Sequence, residues 1–234
     1  MHGTSHHAPF NPLPWVVWAL ALPLIAMELA FAIGASGLVQ GIDGAGWRGL
    51  AVQVFAYSPA FAEVSWQQGG WLPQEPWRLV TYTLVHASVT NALFAGVLLL
   101  AVGKVVAEVM RWWAVLVIWL AAAVAGALVL TLVERIWFAP APPMTLIGAF
   151  PAVYGLFGAF TWIAWMQLGA LGAGRGRAFS LVAFLLGADV LLSLVFGAGH
   201  GWIADLAGCA AGFLLSFVVG PGGARRLHAA IRRR

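Results

Sequence analysis

Residues Trp112–Val133 read WWAVLVIWLAAAVAGALVLTLV, a stretch without a single charged side chain. A helix needs about 20 mainly apolar residues to cross the hydrocarbon of a bilayer, so this segment reads as a membrane span. Working outward toward the N-terminus, residues 85–109 form a second span with His86, Thr90, Asn91, Lys104 and Glu108 crowded at its ends, and 15–38 a first, interrupted by Pro23 and Glu28. Toward the C-terminus lie 148–168, then 178–197 with Asp189 inside it, then Trp202–Val219 with Asp205 inside it. Six spans predict an all-α polytopic membrane bundle.

Composition agrees with the spans. Hydrophobic residues make up 62% of the 234 and charged residues 9%, whereas soluble domains carry about 25% charged residues. An ordinary soluble enzyme, a disordered chain and a disulfide scaffold are thereby excluded. The net charge of +4 is read as a topology signal and not as a nucleic-acid footprint. The one cysteine, Cys209, lies in an apolar run and reads as a small core residue. Residues 15–38 are not a cleavable signal, because no Lys or Arg precedes them and the run exceeds a usual h-region.

Six spans put both termini on one side. Lys104, Arg111, Arg175, Arg177 and the tail Arg225, Arg226, Arg232, Arg233 and Arg234 share one side, and Arg48, Arg78 and Arg135 the other. Cytoplasmic loops collect positive charge, so both termini are expected in the cytoplasm, across a bacterial inner membrane. The long first loop, about 39–84, carries Trp47, Trp66, Trp71 and Trp77; such rings favour the interface, and the loop is expected on or partly in the outer leaflet. Residues 1–14 read as a disordered lead-in: His2, His6 and His7 could hold a metal weakly, but Pro9, Pro12 and Pro14 oppose regular structure. Residues 15–220 form the membrane domain and 221–234 a basic tail. Neither a metal nor a cofactor is expected. The Gly-rich link 169–177 reads as a cytoplasmic turn.

Three stretches taken together resemble the rhomboid family of intramembrane serine proteases: Glu75-Pro-Trp-Arg-Leu-Val-Thr-Tyr with His86 after it, Gly148-Ala-Phe-Pro-Ala-Val-Tyr-Gly155, and Ala204-Asp-Leu-Ala-Gly208-Cys-Ala-Ala-Gly212. The resemblance implies a six-helix rhomboid-like bundle with a long interfacial first loop. It also implies a serine on the fourth span activated by a histidine on the sixth. Here the serine position holds Phe150, the next glycine is Pro151, and the histidine position holds Asp205. Two positions that help hold the oxyanion in the family are Asn91 and Ala95; an amide could still donate, an alanine cannot. The chain therefore reads as a pseudoprotease.

Pro151 suits a first helical turn, so Phe150 is expected to end the preceding loop and plug the site. Gly208 and Gly212 have the spacing that lets helices approach closely. An ionisable residue within a span is usually paired, and the resemblance faces Asp205 with Tyr154, so a Tyr154–Asp205 hydrogen bond is expected. No partner can be assigned to Glu28 or Asp189. Glu75, Trp77, Arg78 and His86 are expected to anchor the long loop. Gly34-Ala-Ser36-Gly37 spells GxSG, but it ends the first span and no histidine follows at the matching place. Ser88 and Thr90 are poor substitutes for a nucleophile toward His86.

Three functions remain open. The preferred one is a non-catalytic rhomboid-like protein that binds, retains or helps assemble other membrane proteins, its partners being the bilayer and their transmembrane segments, with no nucleic acid. The second is an intramembrane serine endopeptidase with a rearranged site. The third is an accessory subunit of a larger membrane complex.

Overall fold

The computed structural model describes residues 12–36, 44–70, 73–138, 144–197 and 199–223. The three N-terminal histidines and most of the basic tail lie outside these residues. Helix α1 (Trp15–Ala35) is followed by three short helices, α2 (Gly44–Phe55), α3 (Ala60–Gln67) and α4 (Arg78–Thr81). Five long helices follow: α5 (Val89–Val109), α6 (Trp112–Val133), α7 (Phe150–Ala170), α8 (Ser180–Phe196) and α9 (Trp202–Val219). The all-α membrane bundle expected from the sequence is the fold observed. The sole β feature among the described residues is an isolated antiparallel bridge between Tyr57 and Leu146.

The six expected spans correspond to α1, α5, α6, α7, α8 and α9. Five long helices, all but α7, are apolar enough along their length to cross a membrane unaided. Helix α7 is as long, with 21 residues, but Pro151, Tyr154, Gln167 and its glycines dilute its hydropathy. Packing explains this: 12 of those 21 residues are buried, and α5, α6 and α9 pack around the helix. A helix sheathed by other helices faces little lipid, so small residues that bring backbones together replace bulky apolar ones.

The glycines carry that contact. A Cβ on Gly208 would run into the carbonyl of Pro151, one on Gly212 into that of Gly155, and one on Gly158 into that of Cys209. Helices α7 and α9 thus touch backbone to backbone. Helix α8 is the opposite case. It buries only Val182, packs on α9 and more lightly on α7, and leaves Phe184, Leu191, Leu194 and Phe196 exposed, as a helix bathed in lipid does.

Sequence bounds for the spans shift by a few residues. Helix α5 begins at Val89 and not at 85, because the Ser88 hydroxyl caps it by accepting the Asn91 N–H at 3.2 Å. Helix α7 begins at Phe150 instead of Pro151. Proline tolerates the second helical position as well as the first, since those N–H groups have no intrahelical acceptor.

Candidate functional site

The N-terminal turns of α5, α7 and α9 meet the C-terminal half of α8 at one end of the bundle. The segment before α7 runs across this end, and four attachments hold it. The Glu134 carboxylate accepts the Met144 N–H at 3.1 and 3.2 Å. Leu146 and Tyr57 exchange backbone hydrogen bonds of 2.7 and 3.1 Å. Gly148 N–H donates to the Tyr82 carbonyl at 3.0 Å, and Ala149 N–H donates to His86 Nε2 at 3.2 Å. Gly148 has φ of +101°, a conformation that costs any residue with a Cβ.

These anchors are themselves anchored. Tyr82 donates its hydroxyl to the Ala123 carbonyl at 2.9 Å. Thr131 Oγ1 gives its proton to the Ala127 carbonyl at 2.8 Å, so in the 2.7 Å contact with Tyr57 it is the tyrosine that donates. His86 is fully buried, and burial, with the Arg48 charge adding to it and Glu28 opposing, lowers its pKa. An unprotonated Nε2 is what the Ala149 N–H requires.

The loop between α1 and α5 is held by arginines. Arg78 is buried, pairs with Glu75 through Nε, donates from Nη1 to the Ala56 carbonyl at 2.9 Å, and lies 4.7 Å from the Phe61 ring centre. Trp77 points outward, 53% exposed, so it does not share the anchoring task expected of it. Glu28 finds a partner that sequence proximity could not suggest. Arg48, on α2, grips both of its oxygens at 2.7 and 2.9 Å, donates to the His86 carbonyl, and stacks 4.5 Å from the Phe31 ring centre.

Within this frame lies a cavity of about 270 Å³, lined by Asn91 of α5, residues 144–147, Phe150, Pro151 and Tyr154 of α7, Asp189 and Ser193 of α8, and Gly201, Trp202 and Asp205 at the start of α9. Four positions singled out from the sequence, Asn91, Phe150, Tyr154 and Asp205, therefore share one pocket. Ala95 is fully buried and outside it. Asp205 does not hydrogen-bond Tyr154, as the sequence reading expected. The second carboxyl lining the pocket is that of Asp189. The neighbouring helix α8 brings that carboxyl against the first turn of α9, a juxtaposition no spacing within either helix encodes.

A model of the rhomboid domain matches residues 73–222. The chain belongs to the rhomboid family. No curated protein matches it. The rhomboid match begins just before Glu75 and ends beyond α9, so the Arg78 anchor, the pocket and the α7–α9 seam all fall within the shared domain, whereas α1, α2 and α3 precede it. Phe150 and Asp205, which the resemblance sets at the rhomboid serine and histidine positions, face the same cavity from α7 and α9.

Sequence reasoning missed Arg48, Ser193 and Thr145. Ser193 follows Asp189 by four residues and so shares its face of α8, a signal that was available. Arg48 and Thr145 gave none, since residues remote in sequence acquire partners only through the fold. The literal GxSG leads nowhere: Ser36 Oγ donates to the Ile33 carbonyl at 2.7 Å at the end of α1. Ser88 is spent on capping α5, Thr90 is exposed, and none of the three lines the pocket.

Proposed function

We propose that this rhomboid-family protein does not cut peptide bonds and instead binds membrane-spanning segments of other membrane proteins, retaining them or helping them assemble. The observation that carries this reading is the content of the pocket. An apolar ring, Phe150, stands where the resemblance puts the nucleophile, and a carboxyl, Asp205, stands where it puts the base. Covalent catalysis needs a nucleophile within hydrogen-bond reach of its base. The cleft that would hold a scissile bond survives, as do exposed apolar flanks on α5 and α8 (Leu93, Val97, Leu191, Leu194) against which a helix could lie.

A rearranged endopeptidase is the second reading, favoured by the Ser193 and Thr145 hydroxyls in a pocket that also holds two carboxyls. No hydrogen bond among the described residues joins Ser193 to either carboxyl, which weighs against it. The test is to incubate the purified protein in lipid nanodiscs with a serine-directed fluorophosphonate and a transmembrane substrate, and to identify what co-purifies in mild detergent. The expected outcome is no label, no cleavage and bound membrane proteins. Cleavage abolished by Ser193→Ala or Thr145→Val would reverse the reading.

A further inference from the structure

The carboxyl pair in the pocket has an unmet need. Asp205 is 6% exposed, and one of its oxygens, Oδ1, is buried without a hydrogen-bond partner; Oδ2 of Asp189 is in the same state. Both carboxyls face the same cavity, and an ionised carboxylate only accepts hydrogen bonds. Ionised, either one puts a negative charge in the cavity. No Lys, Arg or His among the described residues lines the cavity, and the described arginines at this end are engaged elsewhere: Arg48 with Glu28, Arg78 with Glu75 and Arg135 with Glu63. A buried charge without a counter-charge is costly, and within a membrane such groups are met by a partner of opposite sign.

We propose that Asp189 and Asp205 receive the cationic side chain of a lysine or arginine carried in the membrane-spanning segment of another protein. Ammonium and guanidinium groups offer several donors and no acceptor, which suits a pair whose free atoms are both acceptors. The Asn91 and Ser193 side chains beside the pair supply further oxygens. Helices α5 and α8 contribute to the wall without packing into a common seam, so a side chain can enter from the bilayer. A lysine in a span is itself unfavourable in lipid, and docking removes both costs together. This inference rests on the client-binding reading and names the feature of the client that is recognised.

The test uses the full chain in phosphatidylcholine nanodiscs and two dye-labelled Leu/Ala helices of about 21 residues, one with a lysine about a turn from the end, the other with norleucine there. Energy transfer reports binding. The lysine helix is expected to bind about 10- to 100-fold tighter, in the range of a close charge pair, and Asp189→Asn and Asp205→Asn should each remove that preference. Size-exclusion and thermal melting confirm that each variant is folded. Asp189, only half-buried, is the substitution that keeps the test usable if Asp205→Asn does not fold. Hexylammonium serves as a second arm: competition with the lysine helix supports a shared cation site, whereas hexylammonium binding without helix binding means a small amine is the ligand and overturns the proposal. Equal affinity of the two helices, or a preference that survives both asparagine variants, overturns it and leaves client binding standing. Should neither helix bind, the proposal fails; if in addition no membrane protein co-purifies with the chain, client binding fails with it.

Discussion

Glu28 and Arg48 show how a charged residue survives in an apolar helix. The two side chains are 13% and 21% exposed, so the pair is partly desolvated, and removing one member leaves the other with its desolvation penalty and no partner. Glu28→Leu should cost about 2 kcal/mol, less than the ~3–5 kcal/mol of a fully buried pair. The double variant Glu28→Leu/Arg48→Met should cost less than the sum of the singles; additive losses of melting stability in detergent would mean the two do not interact. His86 makes a pH-dependent contribution. Its folded pKa lies below the free value of 6.5, so between the two values the unfolded state binds more protons than the folded one. The stability contributed by the neutral ring is complete above about pH 6.5 and is lost as pH falls through the folded value. Melting from about pH 7.5 to about pH 5 should therefore show a steeper decline for the wild type than for His86→Gln, which cannot titrate. Parallel curves would remove His86 from the account.

At the scale of elements, the seam between α7 and α9 depends on missing side chains. Gly212→Ala drives a methyl into the Gly155 backbone, and separating the helices to admit it should cost about 1–3 kcal/mol, the usual range for overpacking. Gly187→Ala in α8 meets nothing within 4 Å, so it should cause no loss and can serve as the control. If both substitutions melt alike, the close approach of α7 and α9 is not what stabilises the bundle. The segment preceding α7 is a second such element. Its four attachments come from Glu134 just after α6, from the loop after α2, from the turn after α4 and from His86, so the register of α7 is set by residues remote in sequence.

For the whole molecule, the distribution of charge predicts an orientation. The pocket end carries Arg48, Arg78 and Arg135, and each is paired with a glutamate, so that end presents little net positive charge. Arg175, over the Trp165 ring at 4.5 Å, and Arg177 lie at the other end. Reporters fused at the C-terminus and in the 169–177 link should therefore read cytoplasmic, and one at Gly69 should read external. A C-terminus outside the cytoplasm would refute this orientation.

Run length and composition were enough to recognise a membrane bundle, because a bilayer demands long apolar runs wherever the chain crosses it, and α9 in particular was bounded to the residue. Asn91, Phe150, Tyr154 and Asp205, which short motifs singled out, line one pocket. Partners were another matter. Arg48 against Glu28 and Asp189 against Asp205 join residues on different helices, and a linear chain holds no record of which faces meet. The sheathing of α7 was hidden for the same reason: its low hydropathy is intelligible only once α5, α6 and α9 are seen to stand between it and the lipid.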